Sequence, residues 1–187
     1  EDGSGANTLD KDLSLLGNKA RFLELIHDFI VFDGGVKKIC RHNQYFAVKS
    51  AQTRMRERQG GIIWNTQGSG KSLIMVWLAR WIRENIRDSR ILIITDRTEL
   101  DDQIESVFRG VNENDIYRTR SGEDLVAQLN SHEKWLMCSL IHKFGPKTSD
   151  DDNDDESSRS SLKEYIAAVK RALPHGFKAK GNLFVFV

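Results

Sequence analysis

The feature that most constrains the fold is a glycine-rich segment, Asn65 to Ser72, between a short apolar run and a longer helix-forming stretch. Its core reads Gly-Ser-Gly-Lys-Ser. Glycine at positions 68 and 70 permits backbone conformations that other residues avoid, so that consecutive N–H groups turn inward around an anion. The helix that follows presents its N-terminal amides to the same place. The pattern therefore predicts a phosphate-binding loop between a strand and a helix.

The side chains of this loop suit a nucleotide. Lys71 supplies a mobile positive charge for the β- and γ-phosphates, and Ser72 supplies a hydroxyl ligand for Mg²⁺. The loop departs from the usual pattern at its first position, where Asn65 replaces glycine. Phosphate loops occur in many enzymes, and this chain contains no Asn-Lys-x-Asp motif for guanine. The loop therefore predicts nucleotide binding without fixing the reaction.

The rest of the chain predicts an α/β fold. Helical spacing of apolar residues favours a helix over 19–32, stopped by Asp33-Gly34-Gly35, and a second over 43–58 that buries Tyr45, Val48, Ala51 and Met55. Apolar runs then predict strands, at 62–64, 91–95, 116–118, 135–139 and 183–187. Helices are predicted between them, at 70–86, 101–108, 123–129 and 162–173. Strands separated by helices imply a parallel sheet covered on both faces.

The charges are unevenly distributed. The formal net charge is only +1, but residues 150–156 contain six acidic side chains and no basic one, so the remainder is basic. We interpret 150–156 as a solvated acidic insert and the basic cluster at 37–58 as favouring a nucleic-acid partner. No apolar run is long enough for a membrane span, and two isolated cysteines predict a reducing cytoplasm.

Two residues and two segments are further candidate contacts. Gln44 has an amide that can pair with an adenine edge, and Arg41 can stack on the base or reach a phosphate. The segments 95–98 and 139–143 each follow the carboxyl end of a predicted strand, where ligands of open α/β sheets gather. Hydroxyl groups and basic side chains there suit the phosphodiester backbone of DNA.

Five segments in order resemble one family, the motor (R, or HsdR) subunit of type I restriction enzymes. They are Phe22–Phe32, Arg41–Val48, Trp64–Ser72, Thr95–Gln103 and Ser139–Phe144. The resemblance covers roughly residues 20 to 145 and resumes at the final strand. In that family the subunit is a superfamily 2 helicase-like DNA translocase with two RecA-like domains that follow a nuclease domain.

The resemblance implies a set of site residues. Arg41 and Gln44 would form the adenine-recognising Q motif. The ATP-binding motif I would contain Thr66, Gln67, Gly68, Ser69, Gly70, Lys71 and Ser72. Lys71 and Ser72 would be catalytic, with Ser72 also a ligand of Mg²⁺. Motifs Ia and Ib would place Arg97, Ser139 and Lys143 on double-stranded DNA.

The resemblance also implies a domain organisation and partners. Residues 1–38 would be a tail and lead-in helix that connects from a nuclease domain. Residues 39–187 would be the N-terminal part of the first RecA-like motor domain, cut before the acidic motif II. The implied function is the ATP-binding part of a DNA-translocating and DNA-cleaving R subunit, an ATP-dependent endonuclease, with specificity (S) and methyltransferase (M) subunits as partners. Two alternatives stay open: another superfamily 2 helicase or translocase, and a nucleotide-binding switch module without turnover.

Overall fold

A computed structural model describes residues 14, 17–95, 98–140 and 176–187, with the backbone alone for 98–101. The chain divides into two compact units, residues 1–81 and 82–187, and each is described by itself. The first unit contains α1 (Lys19–Asp28), β1 (Ile30–Asp33), β2 (Val36–Ile39), α2 (His42–Arg56) and most of α3 (Lys71–Asn85). The second contains β3 (Ser89–Thr95), α4 (Thr98–Gly110), β4 (Tyr117–Arg118), α5 (Gly122–Asn130), β5 (Leu136–Leu140) and β6 (Asn182–Phe186).

The first predicted helix is shorter than its periodicity suggested. It ends at Asp28, and residues 30–33 form β1, which pairs in antiparallel register with β2. Gly34 and Gly35 have φ angles of +58° and +82°, so they form the tight turn of a hairpin rather than the end of a helix. An apolar run as short as Ile30-Val31-Phe32 fits a helix and a strand equally well, and the double glycine that follows favours the hairpin.

A carboxylate joins α1 to α2. Glu24 accepts hydrogen bonds from the Tyr45 hydroxyl, at 2.9 Å, and from the Lys49 ammonium. The pKa of the Tyr45 hydroxyl is raised above its usual value, mainly by burial and secondly by this hydrogen bond to Glu24. The Phe29 ring lies 4.9 Å from the Tyr45 ring and 6.0 Å from the Trp77 ring, so it packs between α2 and α3. These contacts fix the position of α2.

The face that α2 buries differs from the predicted one. Its fully buried residues are Gln44, Val48 and Gln52, which are spaced four residues apart. Of the predicted set, Val48 is buried, whereas Tyr45, Ala51 and Met55 are half-buried. The helix is therefore oriented with two glutamines facing inward. The spacing of apolar residues could not predict this orientation, because glutamine is polar. The physical reason at Gln44 is a set of hydrogen bonds to the phosphate loop.

The predicted strand at residues 62–64 is wrong. These residues have no strand conformation and pair with no strand among the described residues. Ile62 is 89% exposed and Trp64 is 91% exposed. A strand needs a neighbour for its backbone hydrogen bonds, and an apolar run alone does not provide one.

The parallel sheet of the second unit confirms the predicted α/β class. Its four strands lie in the order β4-β5-β3-β6, and β3 pairs in parallel with both β5 and β6. Leu92 and Met137 are adjacent on one face and pack against Leu125 and Leu129 of α5. Ile93, on the opposite face, is also fully buried. The sheet is therefore covered on both faces, as expected for a RecA-like domain.

One arginine joins several segments at the amino end of β3. The Arg90 side chain is 2% exposed, and its guanidinium donates to the carbonyl oxygens of Gln128, Leu129, Lys134 and Lys180 at 2.6–3.2 Å. Burial lowers the pKa of Arg90 from its usual value. Gln128 and Leu129 lie in the last turn of α5, where their carbonyls also accept from the backbone N–H groups of Ser131 and Lys180. Arg90 therefore gives each of these helix-end carbonyls a second donor.

Two predicted features lie outside the described residues, namely the helix at 162–173 and the acidic insert at 150–156. Within the described part of the chain, no helix is long and apolar enough to cross a membrane.

Candidate functional site: the phosphate loop

The backbone of the loop is set by its two glycines. The Ser69 N–H donates to the Thr66 carbonyl at 3.3 Å, which closes a turn whose third residue is Gly68. Gly68 and Gly70 have φ angles of +75° and +80°, which is the left-handed conformation predicted for these positions. Residues with side chains rarely adopt it, so both glycines are needed for the turn into α3.

Helix α2 holds this loop through Gln44. The Gln44 Nε2 donates to the carbonyl oxygens of Ser69 at 2.8 Å and Gly70 at 3.3 Å. The Gln44 Oε1 accepts from the Arg41 N–H at 2.7 Å, in the manner of a residue that caps the start of a helix. A Cβ atom on Gly70 would lie 2.5 Å from the Gln44 Nε2. Glycine at 70 is therefore required for the approach of Gln44 as well as for the φ angle.

The resemblance assigned Gln44 to an adenine base, and the structure places its amide against the loop backbone. The side chain is 3% exposed, and both amide hydrogens of Nε2 are directed to loop carbonyls. Contact with an adenine edge stays a prediction for Gln44. Arg41, at the start of α2, is exposed.

Lys71 begins α3 and folds back over the loop. Its ammonium donates to the carbonyls of Asn65 at 3.1 Å and Thr66 at 3.2 Å. Ser72 follows and is half-buried. The segment from Asn65 to Ser72 contains no acidic side chain, so its donors and its one positive charge suit an anion. The residues present therefore fit the polyphosphate of a nucleotide, and the Ser72 hydroxyl fits its Mg²⁺.

Two buried donors of the loop have no hydrogen-bond partner among the residues that the structure describes. They are the Asn65 Nδ2 and the Ser69 Oγ. Ser69 was among the predicted nucleotide contacts, whereas Asn65 was noticed as a departure from the pattern and not predicted as a site residue. The signal that pointed to it was a side chain with donor capacity at a position where glycine is usual.

Of the three predicted DNA contacts, Ser139 alone lies among the described residues. It is 1% exposed, near the end of β5, and no described residue is a hydrogen-bond partner of its Oγ. Arg97 and Lys143 lie outside the described residues, so the structure does not test whether the three positions meet. Their contact with DNA stays a prediction.

Comparison with known proteins gives two kinds of match. Residues 43–179 match the family model of the SWI2/SNF2 ATPases. A putative type I restriction enzyme MjaIXP endonuclease subunit of Methanocaldococcus jannaschii is 28% identical, over 92% of this chain and 19% of that protein. The type I restriction enzyme HindI endonuclease subunit of Haemophilus influenzae is 30% identical, over 57% of this chain and 10% of that protein.

These matches confirm the resemblance predicted from the five sequence segments. The type I restriction enzyme SsaAORF53P endonuclease subunit of Staphylococcus saprophyticus is also similar, with 24% identity over 74% of this chain. The chain spans less than a fifth of the length of the curated relatives described above.

Proposed function

The chain belongs to the SWI2/SNF2 ATPase family, and from this we propose that it is the ATP-binding part of the R subunit of a type I restriction-modification enzyme. The observation that carries the proposal is the phosphate loop. It combines two left-handed glycines, an anchoring glutamine and a lysine, without any acidic side chain. The names of the relatives support the choice of a restriction enzyme over other motors.

Each residue of the loop has a proposed role toward ATP and Mg²⁺. The backbone amides of Thr66–Gly68 would face the phosphates, and Lys71 would exchange its loop carbonyls for phosphate oxygens. Ser72 holds Mg²⁺ through its hydroxyl. When bound, ATP supplies the phosphoanhydride bond whose hydrolysis drives movement along DNA. Arg41 and Gln44 form the part of the site that faces adenine. The Gln44 amide also holds the loop against α2.

The proposal extends to the whole protein of which such a chain would form part. Residues 39–187 are the N-terminal part of the first RecA-like domain, and 1–38 connect it to a nuclease domain. Double-stranded DNA contacts Arg97, Ser139 and Lys143, and the S and M subunits supply the recognition site. The enzyme translocates and cleaves DNA in the cytoplasm.

The test is ATP hydrolysis by the full-length protein with and without DNA. We expect DNA to stimulate hydrolysis, Lys71→Ala to abolish it, and Lys178→Ala, a change of an exposed lysine, to leave it unaltered. Persistence of stimulated hydrolysis in Lys71→Ala would contradict the proposed site. ATP binding without turnover would favour a switch module.

A second measurement separates a restriction enzyme from other motors. With the S and M subunits present, ATP-dependent cleavage of DNA is expected, and it should be lost in Lys71→Ala. DNA-stimulated hydrolysis by a protein that neither binds these subunits nor cleaves DNA would identify a different superfamily 2 translocase.

A further inference from the structure

Asn65 stands at the first position of the phosphate loop, where glycine is usual. Its side-chain Nδ2 is buried and has no hydrogen-bond partner within the described part of the chain. A buried donor without an acceptor costs roughly 1–3 kcal/mol, so folded proteins leave few of them. Leucine or alanine would avoid that cost. A donor kept at this position therefore points to an acceptor that arrives from outside the chain.

A second donor in the same loop has the same property. The Ser69 Oγ has no hydrogen-bond partner in the described ranges, and the residue is 7% exposed. An amide NH₂ group and a hydroxyl can both donate to a phosphate oxygen, which only accepts. An amide nitrogen has no free lone pair for a metal ion, so a bare cation does not satisfy Asn65 Nδ2.

The position of Lys71 narrows the choice of ligand. Its ammonium lies 3.1 Å from the backbone oxygen of Asn65. An anion that draws this ammonium into a hydrogen bond therefore comes within one side-chain length of the Asn65 amide. Lys71 is the predicted partner of the β- and γ-phosphates, so these phosphates are the acceptors within reach.

We propose that Asn65 is a nucleotide-contacting residue whose side-chain amide donates to the β- or γ-phosphate, with Ser69 Oγ as a second donor. The proposal rests on the proposed function of the loop as an ATP site. It makes Asn65 a determinant of selectivity, because the amide favours nucleoside di- and triphosphates over monophosphates. Glycine at this position, as in the usual pattern, lacks this contact.

The experiment is titration of the full-length protein with ATP, ADP and AMP in the presence of Mg²⁺, by calorimetry. Asn65→Leu keeps a similar volume without a donor, and Asn65→Asp keeps the shape but replaces the donor with a negative charge. A hydrogen bond to a charged group corresponds to roughly a ten- to hundredfold change in Kd. We expect Asn65→Leu to weaken the binding of ATP and ADP by about that factor, and Asn65→Asp to weaken it further. The Kd for AMP should change less than about twofold in both variants.

Thermal unfolding separates contact from a structural role. Without nucleotide, Asn65→Leu should unfold at or above the wild-type temperature, because it removes an unpaired buried donor. The rise in melting temperature that ATP produces should become smaller. Asn114→Leu, a change of an exposed asparagine outside the loop, is the control and should alter neither quantity. If Asn65→Leu had a lower melting temperature than wild type without nucleotide, and bound ATP and AMP more weakly by the same factor, the role of Asn65 would be structural and the proposal would be overturned.

The outcomes also distinguish the two proposals. If the wild-type chain bound ATP, Lys71→Ala lost it and Asn65→Leu kept wild-type affinity, the role of Asn65 would be refuted and the ATP site would stand. Wild-type affinity in Asn65→Asp would refute the donor role in the same way. If the wild-type chain bound no ATP, both proposals would fail.

Discussion

Replacement of Gln44 by glutamate tests whether the link between α2 and the phosphate loop stabilises the first unit. The substitution keeps the shape of the side chain and preserves an oxygen that accepts from the Arg41 N–H. It replaces the nitrogen that donates to Ser69 and Gly70 with an oxygen. Two carbonyl oxygens then lose their donor and face a carboxyl group.

The magnitude follows from the environment of the side chain. Gln44 is 3% exposed, so the new carboxyl group would be buried among acceptors. The loss of one good and one long hydrogen bond, with the carbonyls left unpaired, costs about 2–4 kcal/mol. Burial and the facing carbonyls favour the protonated acid, so the pKa of Glu at this position should lie above that of an exposed glutamate.

The pH dependence gives the test its sign. The folded variant holds a proton that the unfolded chain releases, so its stability is greatest at low pH and falls as the pH rises through the folded pKa. Urea unfolding, followed through tryptophan fluorescence, to which the buried Trp77 contributes, should show Gln44→Glu less destabilised at pH 5 than at pH 8. Gln59→Glu, a change of an exposed glutamine, should be as stable as wild type at both pH values. A Gln44→Glu variant as stable as wild type at pH 8 would refute the reasoning.

Three other changes have outcomes that the structure specifies. Gly70→Ala should abolish ATP binding in a calorimetric titration and lower the melting temperature. The reasons are the φ of +80° at this position and the 2.5 Å between the added Cβ and the Gln44 Nε2. Gly60→Ala, whose Cβ would have no atom within 4 Å, should do neither. Arg90→Met should cost about 2–4 kcal/mol in urea unfolding, because the carbonyls of Lys134 and Lys180 lose a buried donor while those of Gln128 and Leu129 keep only their backbone donors. Arg87→Met, at an exposed site, should cost little. Burial raises the pKa of Cys40 from 9.0 to about 11, so iodoacetamide should modify the folded chain at pH 8 about a hundredfold more slowly than a thiol without this shift, and urea should remove the difference. Because the folded state favours the neutral thiol, stability should fall as the pH rises from 9 towards 11.

The sheet was predictable because its strands carry strong local signals. Ile91–Ile94 and Trp135–Cys138 are apolar runs of strand length. Ile91–Ile93 and Leu136–Cys138 are buried, and burial of successive residues on both faces is what a parallel sheet requires. The hairpin β1–β2 was not predicted, since its four-residue strands fit a helical period equally well. The run Ile62–Trp64 was misassigned because an apolar run does not reveal whether a partner strand is available.

The phosphate loop was predictable in its backbone and less so in its side chains. The left-handed glycines follow from their type, since few other residues tolerate such angles. The inward turn of Gln44 was hidden because polar residues usually face solvent, and its partners lie 25 and 26 residues away. Ser139 was predicted as a DNA contact from its position after a strand, which indicates a place in the sheet but not a direction of the side chain.

The pairing of β3 with strands both near and far along the chain has a consequence for folding during synthesis. Strands β3 and β5, with Gln128, Leu129 and Lys134 around Arg90, are available once residue 140 has been made. Lys180 and β6 come later, so the guanidinium lacks one acceptor and an apolar strand has an unpaired edge in the meantime. Such an edge can recruit strands of other chains. Addition of β6 therefore pairs the second edge of the central strand β3, and slow translation beyond residue 140 would lengthen the time for which that edge is open.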